Sequence, residues 1–315
     1  MKRKDFIEKQ KAYTLERERR HFDKVIREDK AYARALEDLY KKTAKDIQET
    51  LESLYTRYAL SEGVPIEEVK KKVSRMDIRD FEEKARLYAM EKDFSEEASE
   101  MLKQYNLKMK VSRLQMMEHE IRLKTIGLAD EEEKILVKKL TEDYLKEVER
   151  QAGLMKMSPP IRQKVLERGE KIINATFHSA KFSDRIWANQ QDLQMNLEKG
   201  LRRSLFQGEN PRVWARELKR SLNESVEKAT YNATRLAVTE TSRVVNEARI
   251  ESFKAMGYDS YIWVCEPSAC HICSPYDGKV FKTEKALIGE TQPPMHPNCV
   301  CSIAAYYEPD FDEEG

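Results

Sequence analysis

CEPSACHICSPYDGKVF, residues 265–281, and PPMHPNCVC, residues 293–301, hold all five cysteines of a 315-residue chain and two of its five histidines. An odd number of cysteines confined to one short region is a poor disulfide framework, which spreads its bridges over a scaffold. Reduced thiols gathered around a metal ion suit the pattern better. Cys270 and Cys273 have the Cys-x-x-Cys spacing that lets two thiolates meet one tetrahedral ion from a tight turn. His296, Cys299 and Cys301 offer a second knuckle: prolines flank His296, and strand alternation would put Cys299 and Cys301 on one side. The preferred set is Cys270, Cys273, His296 and either Cys299 or Cys301, with structural Zn2+ as the expected ion because closed sulfur and imidazole sites select it. Cys265 and His271 are weaker candidates. YIWVCE, residues 261–266, has the aromatic and branched side chains of a strand.

The rest of the chain reads differently. Up to residue 150 there are only Gly63, Gly127 and Pro65, whereas six of the ten prolines lie from 265 onward. Long helices are therefore expected first and a turn-and-strand module last. Residues recurring every three or four positions from Phe22 through Leu36, Ile47 and Leu54 to Tyr58 predict one long amphipathic helix. SEGVPIEE at 61–68 stops it and starts another. Further stripes run through Phe81, Leu87, Met101, Leu102, Leu114 and Met117, and through Ile135, Leu136, Leu140, Tyr144 and Val148, as core packing between helices. The fold expected is mainly α, with a small α+β C-terminal module.

Ser158-Pro159-Pro160 breaks the helical pattern and suggests a boundary. The division read from it is a long-helix interaction region at 1–157, a second region at 158–306 with its Cys/His module at 263–303, and an acidic tail at 307–315. The tail's composition is that of a disordered segment. Residues 182–222 read as two helices, ending and restarting around Gly208, Asn210 and Pro211. Between Lys199 and Arg220 they carry Lys199, Arg202, Arg203, Arg212, Arg216, Lys219 and Arg220 against Glu209 and Glu217. Such an excess can meet the phosphates of DNA or form a solvated helix face. The whole chain has 57 basic and 56 acidic residues, so bulk charge names no partner. No run approaches the length of a membrane span, and no apolar segment follows the basic start.

Within 234–258, Arg235, Thr239, Ser242, Asn246 and Arg249 step by four, three, four and three onto one helix face, with Glu240, Arg243 and Glu247 beside them. This face is read as a polar network that orients the loop after it, or as a contact surface. Catalysis has two possible forms. His296-Pro297-Asn298 suggests a zinc-containing nuclease, but the adjacent acid and second histidine of a water-activating metal site are not beside it. A cysteine nucleophile with His296 as base is the other, although thiols this dense more often bind metal.

Together these residues resemble a known signature. Arg235-x3-Thr239-Glu240, Trp263, Cys270-x2-Cys273, Asp277-Gly278-Lys279-Val280-Phe281 and Pro293-Pro294-x-His296-Pro297-Asn298-Cys299-x-Cys301 are similar to the C-terminal part of phage minor head proteins of the Mu F-like and SPP1 gp7-like group, over about residues 180–305. Two positions depart from it: Glu266 alone stands for the acid before the first cysteine, and Val300 replaces an arginine. The resemblance implies a non-enzymatic virion protein of the head interior or portal vertex, present in the host cytoplasm during assembly. It further implies association with the portal, contact with scaffold or major capsid protein, and help in packaging or delivering DNA, with which it could make non-specific contacts.

Overall fold

The computed structural model describes residues 3–58, 113–207 and 211–307, together with 79, 83 and 87. The helix stop at 61–68, the stripe through Phe81, Met101 and Leu102, the Gly208 and Asn210 turn and the tail from 308 lie outside these residues. Among the described residues there are six helices: α1 (Arg3–Tyr58), α2 (Arg113–Met155), α3 (Pro159–Leu166), α4 (Gly169–Ile173), α5 (Phe182–Gln207) and α6 (Pro211–Ala255). Three strands follow, β1 (Ser260–Val264), β2 (Val280–Lys282) and β3 (Ser302–Tyr306). The fold is mainly α with a small antiparallel sheet at the C-terminal end, as expected. No helix among the described residues is long and apolar enough to cross a membrane.

The chain forms two compact units, each assembled from separate stretches. One contains residues 1–33, 135–182 and 234–315; the other contains 34–134 and 183–233. The proline pair expected to separate two regions instead opens α3, which stays in the first unit with the end of α2. Helix α6 runs unbroken for 45 residues, from the second of the two helices read in 182–222 through the polar face within 234–258.

The first unit holds the sheet. Leu136, Leu140, Tyr144 and Val148 recur every fourth residue on α2 and are all buried. The Tyr144 hydroxyl donates to the Val165 carbonyl at 2.6 Å. Helix α6 ends in a Schellman turn: Gly257 has φ +75, its N–H reaches the Lys254 carbonyl, and the Tyr258 N–H reaches the Phe253 carbonyl. The Phe253 and Tyr258 rings meet edge to face across that turn. This redirects the chain into β1, the central strand of the order β2-β1-β3. Tyr261 and Trp263 face a cluster with Ile250, Phe253 and Ile303. Ile262 and Val264 face Ala304, Tyr306 and Leu15 of α1 on the other side. β1 is thus covered on both faces, which explains its continuous apolar run.

The second unit is helical. Leu36, Tyr40, Ile47, Leu51, Leu54 and Tyr55 form the buried stripe of α1 there, and Tyr55 stacks on Trp214 with ring centroids 3.8 Å apart. A Cβ placed on Gly200 of α5 would lie 1.9 Å from Ser221 Oγ of α6, so the two helices approach closely only because that residue is glycine. The core also contains a polar cluster. Glu132 accepts hydrogen bonds from the Tyr40 hydroxyl at 2.6 Å and from Gln190 Nε2 at 2.9 Å, and Asn189 also reaches the Tyr40 hydroxyl. Burial pushes the Glu132 carboxyl up from 4.5 to about 7. Because the folded value lies above the unfolded one, its contribution is fully present below pH 4.5 and is lost as pH rises through 7. The shift amounts to about 3 kcal/mol. Glu132→Gln should remove this pH dependence and raise stability at pH 8 by that order, measured by urea unfolding followed through hydrogen exchange in residues 183–207. Identical pH profiles for the two proteins would refute the assignment.

Candidate metal centre

Two turns of equal span bring the ligands together. In the first, the Cys273 N–H bonds the Cys270 carbonyl at 3.1 Å and the Ser274 N–H bonds the same carbonyl at 2.9 Å. In the second, the Cys299 N–H bonds the His296 carbonyl at 3.0 Å. Asn298 turns this loop with φ +64, a left-handed conformation that asparagine tolerates better than most residues. Both turns therefore present donors three residues apart, as Cys-x-x-Cys and His-x-x-Cys.

The donor atoms converge. His296 Nε2 lies 3.1 Å from Cys270 Sγ and 3.3 Å from Cys273 Sγ, and Cys273 Sγ lies 3.7 Å from Cys299 Sγ. Two thiolates on one tetrahedral zinc, each about 2.3 Å from it, are separated by about 3.8 Å. Cys270, Cys273 and His296 make one group able to hold a metal, and Cys273, Cys299 and Cys301 make another, with Cys273 common to both. His296 Nδ1 lies 2.9 Å from the Pro297 carbonyl. A proton on Nδ1 would donate there and leave the Nε2 lone pair facing the thiols, the usual outer contact of a ligating imidazole. All five cysteines are unbridged. The donor set and spacing fit zinc.

The electrostatics of the thiols point the same way. Cys299 is drawn down to about 5, first by a hydrogen bond from Cys301, against the opposing effect of burial. Burial pushes Cys273 far up, with the neighbouring Cys299 adding to it, and Cys301 is raised by its bond to Cys299. Three buried thiols this close cannot all ionise unless a cation neutralises them. The half-buried Cys270 is lowered by the backbone N–H of Cys273.

Helix α6 holds the ligand loops in place. The Asn298 N–H donates to Thr239 Oγ1 at 3.0 Å, and Asn246 Nδ2 donates to the Cys301 carbonyl at 3.1 Å and to the Ser242 carbonyl at 2.8 Å. Gln292 Nε2 donates to Glu247 at 2.7 Å, a third attachment whose loop partner, Gln292, nothing in the sequence pattern marked. Arg243, almost fully buried, binds Glu240 and donates to the carbonyls of Ile172 and Ile173, which end α4. Arg249 binds Glu147 of α2, which also binds Arg150; Arg150 in turn holds Glu18 of α1 with both terminal nitrogens. Arg235 is exposed, and its carbonyl accepts the Thr239 hydroxyl. Asp277 of the resemblance receives the Cys265 N–H at 2.8 Å and pairs with Arg19 of α1 at 2.7 Å. His271 is exposed at the tip of the first turn.

Two expectations of the sequence take a different form. β3 begins at Ser302, so neither Cys299 nor Cys301 lies on a strand, and Cys299 closes the turn that starts at His296. The reason is local: left-handed Asn298 and the His296–Cys299 hydrogen bond curl the backbone before the strand starts. Of the basic residues considered for DNA, Lys199, Arg203, Arg216, Lys219 and Arg220 are exposed. Arg202 is paired with Glu118 at 2.6 Å and Glu198 at 3.8 Å, while Arg220 is paired with Glu217. The Arg212 side chain lies outside the described residues. All of them belong to the second unit, whereas the residues of the metal centre belong to the first.

No curated protein and no solved structure matches the chain. Residues 195–304 match the family model described as phage Mu protein F like protein, a segment that starts inside α5, takes in the polar face of α6 and ends on β3. Over this segment, which contains both cysteine turns and the helix that anchors them, the chain is similar to Mu F-like phage head morphogenesis proteins.

Proposed function

We propose that this protein is a minor head component that associates with the portal during procapsid assembly and assists the packaging or delivery of DNA. The match of residues 195–304 to the Mu F-like model carries this reading. Scaffold and major capsid protein are the other partners it would meet. Zinc, held by residues of the two turns, serves as a structural ion: it would supply a positive centre around which buried thiols ionise and the loops close. The module does not act as a nuclease in this reading. Both ring nitrogens of His296 are engaged, one with the Pro297 carbonyl and the other with the thiols, so the residue has none left to activate water.

Quantitative mass spectrometry of procapsids and mature particles, purified from cells carrying the complete gene cluster, tests the assembly role. A few copies per particle, reduced in particles assembled without portal, are expected. Absence from both particles would overturn the reading. The exposed basic residues of α5 and α6 are proposed to touch DNA non-specifically, so retention of plasmid should fall steeply with salt and no cleavage should accompany it.

A further inference from the structure

The candidate centre offers five donors, one more than a tetrahedral ion takes. The register of the sheet shows where the extra one belongs. β1 and β3 pair antiparallel with Trp263 opposite Ile303 and Val264 opposite Ser302. Continuing that register by one residue sets Cys265 opposite Cys301. Trp263 exchanges its backbone hydrogen bonds with Lys279 and Gly278 on the β2 side, so Trp263–Ile303 is a non-hydrogen-bonded pair of the β1–β3 ladder. Cys265, two residues on, repeats that alternation, and its N–H goes to Asp277 rather than to Cys301. Opposed residues at such positions lie about 4.5 Å apart between Cα atoms with their side chains on one face, within the range a disulfide spans. Both cysteines belong to the same buried cluster. The Cys265 thiol also donates to the Cys273 carbonyl at 3.1 Å, a protonated role that a metal ligand cannot fill.

We propose that the five cysteines divide by role: Cys270, Cys273 and Cys299 hold the metal with His296, whereas Cys301 pairs across the sheet with Cys265 as a dithiol that an oxidising disulfide can close without displacing the ion. The division rests on the zinc reading for its first half and on strand register alone for its second. It also accounts for the matched turns. Cys-x-x-Cys and His-x-x-Cys each deliver two donors from a three-residue step closed by the same hydrogen bond, and Cys301 stands outside both.

The chemistry is thiol–disulfide exchange. One thiolate of the pair attacks a sulfur of oxidised glutathione, forming a mixed disulfide and releasing one glutathione thiolate. The second thiolate then displaces the other, so two protein thiols are oxidised and one glutathione disulfide is reduced to two thiols. Cys265 and Cys301 are each only 4% exposed, so exchange requires local opening and is slow. In phage particles leaving a reducing cytoplasm, such a bond would form after assembly and tie the two long strands together.

The test uses the full chain, purified under reducing conditions with zinc, then exposed to oxidised glutathione. Peptide mapping should find Cys265 linked to Cys301, and a chromophoric chelator should find the zinc retained. Cys301→Ser and Cys265→Ser should each keep one zinc per chain and abolish the linkage. Cobalt in place of zinc should give the same visible spectrum in Cys301→Ser as in the parent, because the donor set is unchanged. Linkage through Cys273 or Cys299 with loss of zinc, loss of the metal in Cys301→Ser, or no Cys265–Cys301 linkage after prolonged oxidation would each overturn the proposal. If the chain binds no zinc but the linkage still forms, the metal reading fails while the strand pairing stands.

Discussion

Cys273→Ser should cost the protein its zinc and unfold residues 260–306 together. Cys273 belongs to both groups of candidate ligands and sits 3.3 Å from His296 Nε2 and 3.7 Å from Cys299 Sγ, so no other ligand set avoids it. The module around it is small. Its strands have five, three and five residues, and most of its remaining backbone lies in turns. A sheet of that size has little core of its own beyond the cluster that contains the cysteines. Structural zinc contributes about 10–16 kcal/mol of apparent binding free energy in zinc-finger peptides, which is comparable with the entire stability of a domain. Hydrogen exchange should therefore show Tyr261, Trp263, Ile303 and Ala304 losing protection in Cys273→Ser and in parent protein treated with a chelator. Helical segments of the second unit should keep theirs. Unchanged protection in both samples would mean that packing of Trp263, Tyr276 and Phe281 suffices and that the thiols have another purpose.

The location of this module was legible because proline, glycine and cysteine act locally. A Cys-x-x-Cys turn needs no distant partner to be recognised, and neither does the strand in YIWV. The stepping of Thr239, Ser242, Asn246 and Arg249 likewise showed a polar helix face. What that face binds was not legible, because Asn246 meets Cys301 across 55 residues and Arg249 meets Glu147 across 102. Periodicity reveals which side of a helix is buried but carries no information about the element that buries it. The same limit explains the compact units. A helix break at Pro159 is a local event, whereas each unit gathers stretches from both halves of the chain, and α1, α2 and α6 each pass from one unit into the other. The match between the Cys-x-x-Cys and His-x-x-Cys steps was present in the sequence. Alternation of Cys299 with Cys301 obscured it, since that spacing also suits a strand.

Glu147→Gln should destabilise the first unit by about 3–5 kcal/mol at pH 7, the usual cost of removing one partner from a buried ion pair. Glu147 is 3% exposed and accepts from Arg249 Nε at 2.6 Å, from Arg150 at 2.8 and 3.0 Å, and from Gln151 at 2.7 Å. Arg150 continues the chain of charges to Glu18, which is 1% exposed. Burial alone would raise the Glu147 carboxyl, but Arg249 and Arg150 outweigh it and hold the group well below the ordinary carboxylate range; Glu18 is lowered by the same arginines. A depressed folded value means the contribution is present above the unfolded pKa of 4.5 and is lost as pH falls below it. Acid should therefore loosen this unit, whereas the raised Glu132 makes the other unit lose stability as pH rises toward 7. Glu147→Gln should show a weaker acid transition than the parent as well as a lower urea midpoint. The network also explains an expected remote effect. Arg249 reaches Asn246 at 3.4 Å, and Asn246 holds the Cys301 carbonyl, so freeing Arg249 from Glu147 should speed zinc release to a chelator. Equal release rates alongside the expected loss of stability would show that the ion network ties α1, α2 and α6 together without bracing the metal loop. Equal stability would show instead that water enters and solvates the remaining arginines.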